Sequence, residues 1–155
     1  MTFRVLGCDP GVTNPGAAVL ERDAQGWRLV ESPTLRSLEQ FFGYLVQIGR
    51  VELRCVCVED LTWLGAVRAN DGHGSAQIVR VVGAAQLFAA QRRIPFVEVR
   101  PQAWRKRIAG SGRATKEQVR KALRRLVSGV PERFGLNRSD AAAIALAGAL
   151  GRGRG

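Results

Sequence analysis

The sequence predicts an α/β fold, a five-stranded mixed sheet flanked by helices. Three observations carry that expectation. Apolar runs of strand length, at residues 3–9, 53–58 and 94–99, are separated by segments with helical periodicity. Two shorter segments follow the first run closely, as in an antiparallel meander. Two of the runs end on acids, Asp9 and Glu59, and a third acid, Asp140, opens the small apolar helix Ala141-Ala142-Ala143-Ile144-Ala145-Leu146. A carboxylate at the end of a buried strand is costly unless paired, and three that converge repel one another. Divalent cations are the usual remedy. In a chain of net charge +11 the pattern points to a metal-dependent enzyme acting on a polyanion.

Strand one, residues 3–9, gives way to the turn residues Pro10 and Gly11, and strand two follows at 16–22. Asp23 to Gly26 is turn material, and Trp27 to Glu31 alternates as strand three. A helix then opens on a capping box, Ser37 to Gln40, with an apolar stripe at Leu38, Phe41, Phe42, Leu45 and Val46 and a stop at Gly49. Residues 53–58 form a fourth strand whose continuous apolar character suits a central parallel position. Past Glu59 the chain is irregular through Gly74, a length that marks a functional or mobile loop. A helix is predicted from about Ser75 to Arg92 and a fifth strand from Ile94 to Val99. Residues 101–114 are basic and glycine-containing. A second capping box, Thr115 to Gln118, opens a helix with Val119, Ala122, Leu123 and Leu126 on one face. Lys116, Arg120, Lys121, Arg124 and Arg125 lie on the other. The last helix starts near Ser139. Residues 1–150 read as one domain, and Gly151 to Gly155 as a disordered Gly-Arg tail.

Composition narrows the function classes. At 155 residues, 46% hydrophobic and 24% charged, the chain is an ordinary globular domain able to bury a core. No apolar stretch is long enough for a bilayer and no signal peptide is seen, so a cytoplasmic, DNA-associated protein is expected. Cys8, Cys55 and Cys57 are odd in number and lack zinc-ligand spacing, so they read as core residues. His73 is the only histidine and gives Ser-His-Asp chemistry little support. Residues 1–75 hold 7 Arg and no Lys against 9 acids, whereas residues 76–155 hold 17 basic residues against 4 acids. That asymmetry is a footprint for nucleic acid. A coding bias explains arginine over lysine, but not the scarcity of acids in the second half.

The element order β-β-β-α-β-α-β-α-α, with acids ending strands one and four and opening the last helix, is that of the ribonuclease H-like fold. Four segments, in family order, resemble the motifs of RuvC-type Holliday junction resolvases. They are Leu6-Gly7-Cys8-Asp9-Pro10-Gly11 with Gly16; Val58-Glu59-Asp60-Leu61; Gly110 to Val119, glycine-rich and basic; and Ser139-Asp140 to Leu146. The resemblance spans residues 6–147. It implies a crossover junction endodeoxyribonuclease that cuts a four-way DNA junction by paired phosphodiester hydrolysis. Two Mg2+ or Mn2+ ions per active site are implied, and for a bacterial protein also branch-migration partners.

The resemblance also assigns residues. Asp9 would bridge both ions, and Glu59 and Asp140 would each complete one site. Lys116 corresponds to a family lysine near the scissile phosphate. Asn137 stands where the family usually carries Asp or His, three residues before the closing Asp; it is either an uncharged fourth ligand or a cap of the last helix. Trp63 lies in the loop where the family places a base-unstacking aromatic, although Thr62 occupies the aligned position. Arg105, Lys106, Arg107, Arg113 and Arg120 are candidate phosphate contacts, and Gly110 and Gly112 would let main-chain amides approach a phosphate.

A junction presents two equivalent strands, so a two-fold homodimer is expected. The helix at residues 75–92 is its candidate interface, through Ile78, Val79, Val82, Ala85, Gln86 and Ala89, with Gly83 permitting close approach. Three rivals stand beside this reading. One is another ribonuclease H-like nuclease that cuts flaps or RNA–DNA hybrids. Another is an ATPase of the actin and sugar-kinase type, whose phosphate loop also reads Asp-x-Gly-x-Thr, here Asp9, Gly11 and Thr13. The third is a catalytically weak junction-binding protein, which the uncharged Asn137 favours.

Overall fold

In the computed structural model, residues 1–11, 14–60 and 72–152 are described. Three antiparallel strands open the chain: β1 (Phe3–Asp9), β2 (Gly16–Asp23) and β3 (Gly26–Glu31). Helix α1 (Leu38–Gln47) leads through a 3-10 turn (Ile48–Arg50) into β4 (Cys55–Glu59). Then follow α2 (Gly72–Gln91), β5 (Phe96–Val99), α3 (Pro101–Ala109), α4 (Lys116–Leu126), β6 (Val127–Ser128) and α5 (Leu136–Arg152). The sheet order is β5-β4-β1-β2-β3-β6, with β4 parallel to both β1 and β5.

Strand periodicity sorts the core into two layers. Val5 on β1, Ala18 and Leu20 on β2, and Cys55 and Cys57 on β4 share a cluster with α3, α4 and α5. Leu6, Cys8, Ala17, Val19, Val56 and Val58 face the other way and pack with α1 and α2. Because β1 and β4 are covered on both sides, their sequences are apolar throughout rather than alternating. Helix α5 lies tight on the sheet. A Cβ at Gly7 would collide with the Ala141 carbonyl oxygen, and one at Gly16 with the Asn137 carbonyl oxygen. Only alanine-sized side chains fit this seam, and Ala141, Ala142, Ala143, Ala145 and Ala147 are fully buried.

The elements depart from expectation at several points. The sheet has six strands, not five. β6 is two residues long and pairs in parallel with β3 at Trp27 and Arg28; so short a strand leaves no alternation to read. Residues 101–109 are helical, with Pro101 at the first turn and Gly110 in a left-handed C-cap (φ 82°). The basic residues there hide an i, i+4 buried pair, Trp104 and Ile108. In α1 the buried residues are Phe41, Tyr44 and Leu45, while Phe42 and Val46 of the expected stripe are exposed. That helix stops before Gly49, where the 3-10 turn folds Ile48 into the core. Helix α2 begins at Gly72, ahead of the expected Ser75. Helix α5 begins at Leu136 and runs to Arg152, two residues into the expected tail. The rest of that tail and most of the loop after Glu59 lie outside the described residues. Among the described residues, no helix is long and apolar enough to cross a membrane.

Candidate active site

The same periodicity that builds the core aims the acids. Val5, Gly7 and Asp9 share one face of β1, and Cys55, Cys57 and Glu59 the matching face of β4. The strands run parallel with Val5 beside Cys55 and Gly7 beside Cys57, so Asp9 and Glu59 end neighbouring strands on one face. Helix α5 covers that face, and the Gly7–Ala141 approach brings its N-terminal part, with Asp140, against β1. Asp9 and Asp140 are buried, and Glu59 is half-buried.

All three carboxyls are pushed up from their ordinary range. For Asp9 the value is about 7, through burial first, then the charges of Asp140 and Glu59. Burial also raises Glu59, which the Trp104 hydrogen bond and Arg105 partly offset. Asp140 is raised by burial and held back chiefly by Lys116. The Lys116 ammonium lies 3.2 Å from Asp140 Oδ2, while Asp140 Oδ1 is buried with no hydrogen-bond partner among the described residues. The Trp104 indole donates to Glu59 Oε1 at 3.1 Å. An orphaned carboxylate oxygen and hard anionic donors that repel one another fit a divalent cation. The set is not yet gathered, however: no three His, Cys, Asp or Glu side chains among the described residues are close enough together to hold one.

The profile of the family described as "Crossover junction endodeoxyribonuclease RuvC" matches residues 5–148. The chain belongs to the RuvC family. The curated RuvC of Chloroflexus aggregans is 34% identical, over 96% of this chain and 91% of the relative. That of Chloroherpeton thalassium is 29% identical, over 92% of this chain and 80% of the relative. The structure described as "T. thermophilus RuvC in complex with Holliday junction substrate" superposes with a TM-score of 0.79 at 22% identity, covering 97% of this chain and 94% of that one. The fold is therefore that of RuvC, the ribonuclease H-like fold expected from the element order.

Around the acids, the other RuvC-type candidates separate. Lys106, Gly110, Gly112 and Arg113 line one open cleft of about 600 Å³ with Gln102, Ala103 and Ser111. Arg105 acts electrostatically on Glu59 and Asp140 and stacks over the Trp104 ring at 5.2 Å. Arg107 is otherwise engaged. It donates to the Ala147 carbonyl at 2.7 Å and so ties α3 to α5. Arg120 pairs with Glu117 and donates to the Phe134 carbonyl, so its guanidinium braces the helix. Asn137 is the second residue of α5, not its cap, and its Nδ2 donates to the Asn14 carbonyl at 3.2 Å. That bond ties the turn after Asp9 to the start of the helix that carries Asp140. Trp63 and Thr13 lie outside the described residues. Residues 101–114 stand out in sequence as basic and glycine-containing, which hides Trp104; the Pro101 start, the Gly110 stop and the Trp104–Ile108 spacing are the signals of its helix.

Of the expected interface residues on α2, Ala85 and Ala89 are buried and pack on the sheet with Val81 and Phe88. Val79, Gly83, Gln86 and Leu87 face outward instead.

Proposed function

We propose that this protein is a metal-dependent endonuclease that resolves four-way DNA junctions by paired phosphodiester hydrolysis. The observation that carries this is that Asp9 and Glu59 end neighbouring parallel strands beneath the helix that bears Asp140, in a RuvC-family chain whose second half is strongly basic. The Thermus thermophilus protein of the same fold is described in complex with a Holliday junction substrate. Asp9, Glu59, Asp140 and Asn137 would hold the Mg2+ or Mn2+ ions, two per active site. The hydrogen bond through Nδ2 leaves Asn137 its Oδ1 as the ligand atom. Such ions make a water nucleophilic and stabilise the leaving oxygen.

The protein's own groups do the rest. Lys116 pairs with Asp140, and its ammonium would stand by the scissile phosphate, where it would stabilise the charge that builds in the transition state. Arg105 stands near the same point. Lys106, Arg113 and the amides of the Gly110–Gly112 turn would hold the flanking backbone. Trp63 is proposed to stack on bases at the crossover. Two copies would join through the outward face of α2, where Val79 and Leu87 are more than half exposed and Gly83 lies between them.

One observation favours a second reading, a weakly active junction-binding protein: Lys116 occupies Asp140 and the fourth ligand is uncharged. A cleavage panel of junction, flap and RNA–DNA hybrid, with Mg2+, Mn2+ or chelator, decides. The proposal expects symmetric cuts in opposing strands of the junction, only with metal. Equal or better cutting of flap or hybrid would assign the protein to another ribonuclease H-like activity. Junction binding with no cutting in either metal would establish the second reading.

A further inference from the structure

Trp104 is the largest fully buried side chain among the described residues, 1% exposed. A ring of that size fills the core with carbon alone, but its N–H needs a partner once it leaves water. The partner is Glu59 Oε1, across the sheet end from α3. The ring itself is fixed, packed in the α5-side cluster with Val99, Ile108 and the α5 alanines, and Arg105 covers it.

We propose that Trp104 is a positioning residue for the cation site: its indole N–H holds Oε1 of Glu59, so that the carboxylate meets the ion through Oε2 in one orientation. This rests on the reading of Glu59 as a ligand. A glutamate at a strand end is otherwise free about three side-chain bonds, and ordering it during folding leaves less to be ordered on binding. The donor is also neutral. It orients the ligand without cancelling its charge, as partners behind a metal ligand commonly do. Lys116 on Asp140 is the opposite arrangement, a charged partner that competes with the ion.

The test separates the N–H from the ring. Trp104→Phe removes the donor and shortens the ring; replacing Trp104 with benzothienylalanine keeps the bicyclic shape and removes the donor alone. Mn2+ binding to the DNA-free protein, followed by electron paramagnetic resonance, should weaken about 10–100-fold in both. The melting temperature of the benzothienyl form and junction binding should stay as in wild type. In wild type, the Trp104 indole 15N–H resonance should move on Mg2+ addition, and should move again in Glu59→Gln. Normal Mn2+ binding in the benzothienyl form, with weakened binding in Glu59→Gln, would make Trp104 a core filler and overturn the proposal while leaving Glu59 a ligand. Unchanged Mn2+ binding in Glu59→Gln would instead remove Glu59 from the ligand set, and the proposal with it.

Discussion

Among the described residues, two places bury carboxylates, and they treat them differently. Near one end of β1, Glu21 sits between Arg4 and Arg28, its register partners on the flanking strands, and its side chain is 7% exposed. Both guanidiniums bond it and hold it below the usual carboxylate range. At the other end of the same strand, Asp9, Glu59 and Asp140 are raised by burial, and among the described residues only Lys116 makes an ion pair with any of them. A chain with 24 basic residues has counter-charge to spare. Leaving three acids so nearly uncompensated fits the proposed cation site, because a fully paired acid has nothing left for a cation. Burial alone does not mark a site; burial without full counter-charge does.

The largest effect should come from neutralising acids on either side of this contrast. Glu59→Gln and Asp140→Asn are expected to lower junction cleavage at least about 100-fold, as loss of transition-state charge stabilisation does. Both should leave thermal stability unchanged or raised in metal-free buffer. Glu21→Gln should do the reverse, keeping cleavage and lowering the melting temperature, since it strands two arginines. Melting curves beside cleavage rates for the three variants check this. A loss of cleavage in Glu21→Gln equal to that in Asp140→Asn would break the distinction.

Next comes the close approach that brings the acids together. Gly7→Ala drives a methyl group into the Ala141 carbonyl and should cost about 1–3 kcal/mol or more, with cleavage falling as Asp140 is displaced. Gly43→Ala on exposed α1, with nothing within 4 Å of the added carbon, should gain up to about 1 kcal/mol and leave cleavage intact. Denaturant unfolding of the pair measures both.

Most of this site could be read in the chain, for a physical reason. A strand that must be apolar on both faces cannot absorb an acid, so Asp9 and Glu59 stand out against Cys8 and Val58. Asp140 stands out against its alanines in the same way. Ser37 caps α1 by accepting from the Gln40 amide, although the Gln40 side chain accepts from Arg36 instead of closing a box, and the capping box at Thr115 forms with both reciprocal bonds. What escaped depended on tertiary partners. Arg107 and Arg120 look like free cations in sequence, but in the fold they donate to the carbonyls of Ala147 within α5 and of Phe134 just ahead of it. Trp104 acquires its role only when α3 lays it beside β4. The stripe on α1 misled because Phe42 and Val46 are apolar yet exposed, in a groove with Leu87 that only the packing of α1 on α2 creates.

A smaller effect concerns pH. The folded carboxyl of Asp9 keeps its proton to about 7, whereas an unfolded aspartate releases it near its ordinary 3.8. Between those values the folded state binds more protons, so without divalent cation this group makes stability fall as pH rises. Asp9→Asn should flatten that slope, and Mg2+ should oppose it in wild type. Melting temperatures across about pH 3–8 would show it, a window that brackets the two values. An identical slope in Asp9→Asn would place the titration elsewhere.

The smallest effect belongs to Asn137. Asn137→Asp should lower the Mg2+ concentration for half-maximal cleavage a few-fold, because a hard cation prefers an anionic oxygen, and Asn137→Ala should raise it. Superimposable Mg2+ curves for all three proteins would leave Asn137 as a tie to Asn14 alone.

The central claim, that the three acids supply chemistry while the basic surface supplies grip, is tested most directly by measuring binding and cleavage together. A labelled synthetic four-way junction is mixed with wild type or Asp9→Asn in Mg2+, and bound and cut fractions are read from the same samples. The account expects wild type to cut opposing strands, and Asp9→Asn to bind with an unchanged Kd and cut nothing. Cleavage by Asp9→Asn at the wild-type rate, or by wild type in excess chelator, would contradict it.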